Sequence, residues 1–341
     1  MNDLAIVFLI FNRPEPTART FEAIRAARPA RLLVVADGPR AGRAGEAELC
    51  AATRAVVDAV DWPCDVQKNF SEANMGCGKR VASGLDWAFS LVEEAVILED
   101  DCLADPTFFP YCTELLHRYR DDRRIAMISG NNFQNGVSRT ADSYYFSRFP
   151  HCWGWATWRR AWRNFDYSMS DWPRRRGTPW LGKITGNQIL ERYWEHCFDE
   201  VSAGRIDTWD YQWLYCVLAG GGLCVAPDVN LVTNIGFGEA ATHTLEVDRR
   251  YLVPAASMKF PLKHPNLIEP NKAADDFEKL YLHNISEQGV ISDGLTRIRL
   301  RVLRAQPLLE RIGLWRPLRA AARFVRRAGQ TASSGADSRR G

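Results

Sequence analysis

The chain has 341 residues, 46% of them hydrophobic, and a formal net charge of +3. That is apolar material for one large or two modest domains, and the near balance of charge excludes wholesale nucleic-acid binding. Nine cysteines stand scattered with no zinc-type spacing, so reduced thiols of a cytoplasmic protein are expected, and no apolar run reaches the length of a membrane span.

Met1-Asn2-Asp3 leads directly into the fully apolar run 4–11, so no signal peptide is expected. Such a run is typical of a central parallel strand. It ends at Phe11-Asn12-Arg13-Pro14, and helical spacing follows over 16–27. A second strand, 31–36, ends at Asp37-Gly38-Pro39. Helix 46–60, strand 64–70 and helix 78–91 come next. Strand 95–98 then runs into Glu99-Asp100-Asp101-Cys102, followed by helix 106–119 and strand 125–129. This alternation predicts an α/β fold with a doubly wound, mostly parallel sheet and right-handed crossovers.

Ligands of open α/β sheets bind outside the carboxyl ends of the strands, where these polar residues fall. Three adjacent carboxylates repel one another, and a folded chain keeps them together only in water or against a cation. In an extended chain Glu99 and Asp101 share one side and Asp100 takes the other. Their hard oxygen atoms suit Mg²⁺ or Mn²⁺ rather than zinc. The same residues also read as a solvated turn before a helix started by Asp105-Pro106. Arg13 and Asp37 would extend the rim for a nucleotide with a metal-bridged diphosphate, although each alone is ordinary loop chemistry. No G-x-G-x-x-G follows the first strand and no G-x-x-x-x-G-K-[ST] occurs, which argues against a dinucleotide enzyme or a P-loop ATPase.

The second half changes character. Residues 144–149 read as a strand, followed by His151-Cys152-Trp153-Gly154-Trp155-Ala156-Thr157-Trp158 and a helix to Phe165. Most of the twelve tryptophans cluster between Trp153 and Trp213. Core packing explains many of them, and sugar-binding clefts also favour aromatic faces. An amphipathic helix spans 187–201. Asp207-Thr208-Trp209-Asp210 opens another, with Asp207 as its cap, and Gly220-Gly221-Gly222 ends it. Strand 223–227 leads to a Gly-rich loop, 234–244, a candidate lid. Residues 295–328 alternate arginines with leucines around Trp315. That pattern suits peripheral contact with an anionic membrane, or a helical pair packed back on the core. Residues 331–341 are small and polar, and disorder is expected there.

Taken together, these motifs resemble nucleotide-sugar glycosyltransferases of the GT-A fold, in the pattern of N-acetylglucosaminyltransferase I and related bacterial enzymes. Phe11-Asn12-Arg13 resembles the first strand end, Asp37 the aspartate that reads the base, and Leu98-Glu99-Asp100-Asp101 with Pro106-Thr107-Phe108-Phe109 the metal motif and its helix. Phe149-Pro150-His151-Cys152-Trp153-Gly154-Trp155 is similar to an acceptor-side turn, with His151-Cys152-Trp153 departing from the usual Pro-Gly-Leu-like run. Trp209-Asp210 is similar to the pair that supplies the base, and Val225-Ala226-Pro227 through Gly236-Phe237-Gly238 to His243 resembles the loop that orders over the donor.

The resemblance implies a nucleotide-binding half at 1–130 and an acceptor half of the same domain at 131–260; beyond about residue 260 it has no counterpart, and the sequence pattern itself predicts a C-terminal helical extension at 261–330 and a disordered tail at 331–341. The resemblance implies donor contacts from Phe11, Asn12, Arg13, Asp37, Lys79, Glu99, Asp100 and His243, with Arg80 and Arg148 as further diphosphate candidates. Asp101 would hold the Mn²⁺ or Mg²⁺ cofactor, and Trp153, Trp155 and Trp209 would line the acceptor side. Asp210 would be the general base of an inverting transfer, although it could instead complement its helix dipole, and Asp207 competes for both roles. The expected partners are a nucleotide-sugar donor, UDP-linked by this resemblance, and a glycan or lipid-linked glycan acceptor at the inner face of a membrane. The alternatives are a sugar nucleotidyltransferase, which would want a basic Gly-rich loop after the first strand, and a non-catalytic carbohydrate-binding protein of the same fold.

Overall fold

The computed structural model describes residues 4–236, 251 and 253–283. The expected lid from 237 onward, with His243, and the basic segment 295–328 lie outside the described residues. One compact unit runs from Met1 to His283. That unit includes residues 261–283.

The described elements follow in chain order. Strand β1 (Ala5–Ile10) leads to helix α1 (Pro14–Ala27), then β2 (Arg31–Ala36), α2 (Glu46–Ala55), β3 (Asp65–Phe70), α3 (Cys77–Leu91) and β4 (Glu94–Glu99). Next come β5 (Cys102–Ala104), α4 (Phe108–Arg118), β6 (Ile125–Ser129), β7 (Tyr144–Ser147) and β8 (Trp155–Trp158). Short helices α5 (Arg159–Trp162), α6 (Trp172–Arg175) and α7 (Trp180–Thr185) precede α8 (Gln188–Ser202), α9 (Asp210–Ala219), β9 (Leu223–Pro227), β10 (Val232–Asn234) and α10 (Lys272–His283).

Among the described residues the main sheet has eight strands in the order β3-β2-β1-β4-β8-β6-β9-β7. The pairings β2/β3, β1/β2, β1/β4 and β6/β9 are parallel, and β8 and β7 run against their neighbours. The fold is thus α/β and mostly parallel, as expected. Strand β8 was not anticipated as a strand: four residues flanked by tryptophans carry no readable period. Its Ala156 pairs with both Val96 and Ile128, joining the two halves into one sheet. A separate antiparallel ribbon pairs β10 with β5, directly after the acid cluster.

Alternation along β1 sends its side chains to two cores. Ile6, Phe8 and Ile10 pack with Phe21, Ile24, Phe108 and Leu115 on one face. Val7 and Leu9 pack with Leu85, Phe89, Trp155, Trp162, Trp209 and Trp213 on the other. Helices therefore cover both faces, and four tryptophans of the cluster, Trp155, Trp162, Trp209 and Trp213, lie in the second core.

Helix α10 buries two carboxylates. Asp275 accepts from Ser147 Oγ at 2.7 Å, while Glu278 accepts from Gln134 Nε2 and meets His151 Nε2, each at 2.9 Å. Burial pushes the Asp275 carboxyl up to about 7, Ser147 opposes this, and neighbouring Glu278 adds to it. An acid with a raised folded-state pKa holds its proton more tightly when folded. Its contribution therefore falls as pH rises from the unfolded value of 3.8 towards 7. Asp275→Asn lacks this penalty, so its stability relative to the natural chain is expected to improve between pH 5 and pH 8. Urea unfolding at the two pH values measures this, and a pH-independent difference would refute it.

Candidate functional site

The site lies where β1, β2 and β4 end side by side. Parallel register places Leu9 against Glu99 and Ile10 against Ala36, so Phe11-Asn12-Arg13, Asp37 and Glu99-Asp100-Asp101 share one rim. Arg13 bridges two of the acids. Its Nε reaches Asp100 Oδ2 at 3.3 Å, and its Nη2 pairs with Asp100 Oδ1 and with Asp101 Oδ2, the latter at 3.0 Å. Burial works against the Arg13 charge, yet Asp100 and Asp101 raise its pKa above the ordinary value. Burial also lifts Asp100 to about 6, although Arg13 pulls it down. Thr20 Oγ1 fixes the Asp100 carbonyl at 3.0 Å.

Glu99 is different. It is half-buried, and among the described residues its carboxylate has no side-chain hydrogen bond or ion pair. Burial pushes its carboxyl up to about 8, with the charges of Asp101, Asp100 and Asp210 adding to the effect and Arg13 opposing it. The charge of Asp210, at the first position of α9, thus reaches Glu99. Its Oδ1 accepts from Thr208 Oγ1 and from the Tyr211 amide, the latter at 3.0 Å.

The outer rim is held by groups that the sequence left unnoticed. Asn12 Nδ2 donates to Glu46 Oε1 at 3.1 Å, and Arg40 clasps the same carboxylate through its amide (2.6 Å) and its Nε (3.0 Å). The Arg40 hydrogen bond holds Glu46 down at about 2. The Arg40 guanidinium also lies over the Phe11 ring, 5.6 Å from its centroid. Reading Glu46 only as a helix start hid this contact. Asp37 accepts from the amides of Gly38 and Met75 (2.8 and 2.9 Å) and from Asn74 Nδ2 (2.9 Å), tying the β2 end to the loop before α3. Burial raises its pKa against those amides.

Several expected contacts fall elsewhere. Arg80 is buried and donates to the carbonyls of Ala36 and Asn69, so it holds strand ends and is corrected as a diphosphate ligand. Arg148 stands 3.9 Å from Asp275 of α10, away from the acid cluster. Lys79 is exposed on the first turn of α3. Trp155 is 0% exposed and stacks on Trp209, 3% exposed, with centroids 5.5 Å apart, so both are corrected from acceptor wall to core. Only Trp153 is half-buried, against Phe133 and Tyr251. Asp207 does not cap its own helix: both its oxygens are bonded to the start of α3.

No family model and no curated protein matches the chain. Solved structures that resemble it include a mannosyltransferase, PcManGT from Pyrobaculum calidifontis, in complex with GDP-Man and Mn²⁺, at 17% identity and a TM-score of 0.33. That match covers 46% of this chain and 44% of the mannosyltransferase, so the chain spans under half of that protein's length. The galactosyltransferase LgtC with donor and acceptor sugar analogues matches at 15% identity and a TM-score of 0.34, over 85% of this chain and 99% of its own. An active-site variant of LgtC matches at 14% identity and a TM-score of 0.35, over 85% and 100%.

The acid cluster can be tested as a cation site on its own chemistry. Among the described residues no three His, Cys, Asp or Glu side chains close into a metal cage. What exists is sparser. Among the described residues the Glu99 carboxylate has no side-chain partner, and Asp101 Oδ1 has only the Cys102 thiol, at 3.7 Å. Glu99, Asp100 and Asp101 crowd one strand end, Arg13 pairs with Asp100 and Asp101, and the charge of Asp210 reaches Glu99. Such a set fits a hard divalent cation that takes few protein ligands and completes its shell with phosphate oxygens and water.

Proposed function

We propose that the protein is an inverting, divalent-cation-dependent glycosyltransferase that moves a sugar from a nucleotide diphosphate to a glycan or lipid-linked glycan. The observation that carries this reading is the excess of carboxylates over cations at the joined ends of β1, β2 and β4, with the charge of Asp210 reaching Glu99 from α9. A diphosphate cannot approach that excess of negative charge without a cation, and an acid on the facing element can take up a proton. The motif order shared with N-acetylglucosaminyltransferase I supports a UDP-linked donor.

Sugar transfer breaks the anomeric C–O bond through an oxocarbenium-like state, and the electron pair leaves with the diphosphate. Asp101 would hold the Mn²⁺ or Mg²⁺, which when bound would supply positive charge to that leaving group. Phe11, Asn12 and Asp37 hold the nucleoside end, Glu99 and Asp100 the ribose or sugar hydroxyls, and Lys79 and His243 the diphosphate. Trp153 faces the acceptor. Asp210 accepts the acceptor hydroxyl proton as that oxygen attacks the opposite face of the sugar.

A thermal-shift screen of nucleotide sugars with Mn²⁺ tests this, because a ligand that binds only the folded state stabilises it by mass action. At a ligand concentration of 100 Kd the gain is about 2.7 kcal/mol, several degrees in a chain of this size. The expected result is stabilisation by one nucleotide sugar and release of nucleoside diphosphate on turnover. Release of pyrophosphate would point to a nucleotidyltransferase, and binding without turnover to a carbohydrate-binding protein; either overturns the proposal.

A further inference from the structure

Asp207 stands three residues before Asp210, yet its carboxylate reaches into the other half of the sheet. Its Oδ2 accepts from the Cys77 amide at 3.0 Å and its Oδ1 from the Gly78 amide at 2.9 Å. Helix α3 has no side-chain cap of its own, because Gly76 occupies that position with φ +83°. The first amides of a helix need an acceptor, and here a residue about 130 positions away provides it. The approach is too close for side chains. A Cβ on Gly76 would lie 2.6 Å from Asp207 Oδ2, and one on Gly78 would lie 2.5 Å from the Thr208 carbonyl and 2.8 Å from Asp207 Oδ1.

The pinned segment continues into Asp210. Thr208 Oγ1 donates to Asp210 Oδ1, and Gln212 Nε2 donates to the Thr208 carbonyl at 2.7 Å. On the other side, α3 leads straight into β4, whose end carries Glu99. One continuous set of bonds thus runs from the helix beside the donor-side acids, through Asp207 and Thr208, to the Asp210 carboxylate.

We infer that Asp207, by capping α3 from the opposite half, is a positioning residue that sets the Asp210 carboxylate against Glu99, Asp100 and Asp101. This rests on the reading of Asp210 as the base. Misplacing a reacting group by an ångström costs up to about 10²-fold in rate, whereas donor affinity depends on contacts that Asp207 does not make.

The test compares Asp207→Ala and Asp207→Asn with the natural chain and with Asp210→Asn. It measures kcat and donor KM with the nucleotide sugar found in the screen, and amide hydrogen exchange across 77–80 and 208–213. Asp207→Ala is expected to lower kcat about 30-fold with donor KM within about threefold. It should also speed exchange at Tyr211, whose amide is bonded to Asp210. Asp207→Asn, with one oxygen still able to accept from Gly78, should recover part of kcat, and it is the same size should the alanine variant fail to fold. Faster exchange confined to 77–80, or a kcat within threefold of the natural chain, would overturn the inference and leave Asp207 as a helix cap. An active Asp210→Asn variant overturns the base assignment instead, and exchange at Tyr211 still decides whether Asp207 fixes that segment.

Discussion

Asp210→Asn is expected to lower kcat by about 10³-fold while donor affinity stays within a fewfold of the natural value. A positioned general base contributes about 10²–10⁴-fold, and the amide cannot accept a proton at neutral pH. The substitution preserves shape. Its side-chain oxygen can still accept from Thr208 Oγ1 and the Tyr211 amide, so α9 keeps its first turn. It also removes one negative charge that reaches Glu99, which eases rather than impairs approach of a diphosphate. Loss of kcat with retained donor binding is therefore the signature, read by steady-state kinetics and by donor-induced thermal shift. Transfer that persists in Asp210→Asn would refute Asp210 as the base.

The second large effect concerns Asp101, approached from two directions. Asp101→Asn should abolish the Mn²⁺-dependent part of the thermal shift and lower turnover about 10²-fold, since a lost Lewis acid at the leaving group is worth several kcal/mol. Gly236→Ala reaches the same carboxylate without touching its charge. Gly236 lies over Asp101, and a methyl there would overlap Asp101 Oδ2 and stand 2.8 Å from Arg13 Nη1. The Ile235 amide is bonded to the Asp101 carbonyl at 2.8 Å, so the backbone cannot withdraw without losing that bond. Gly236→Ala is expected to weaken Mn²⁺ response and turnover together while circular dichroism stays unchanged. A full Mn²⁺ response in both variants would remove Asp101 from the cation site.

The first half of the fold was legible because its central parallel strands are apolar over nearly all their length and end in polar residues. Residues 4–11, 31–36 and 95–98 could hardly be read otherwise. Strand β8 was not legible, since Trp155 and Trp158 face opposite cores and a four-residue strand shows no period. The same tryptophans suggested a sugar cleft, although burial assigns Trp155 and Trp209 to packing. At the site, the residue types and their convergence at strand ends could be read, but their partners could not. Nothing local shows that Arg80 turns to the carbonyls of Ala36 and Asn69, that Arg40 and Glu46 close on Asn12, or that Asp207 bonds Gly78. Those pairings join residues distant in sequence and leave no spacing signal. The helix at Lys272–His283 falls inside the expected helical extension, but its packing was not legible: its buried Asp275 and Glu278 look like solvent-facing acids until Ser147, Gln134 and His151 are placed against them.

Strand β8 has one more consequence. It comes from the chain after residue 130 but sits between β4 and β6, bonded to both. A chain cut between residues 130 and 131 would therefore leave the first fragment with β4 and β6 parted by a missing strand, each an open edge prone to aggregation. The parts before and after residue 130 are not interchangeable modules, and exchanging the second part would mean transplanting the middle of a sheet. Swaps confined to loops at the strand ends leave that sheet intact and are the natural unit in which such a chain can vary what it binds.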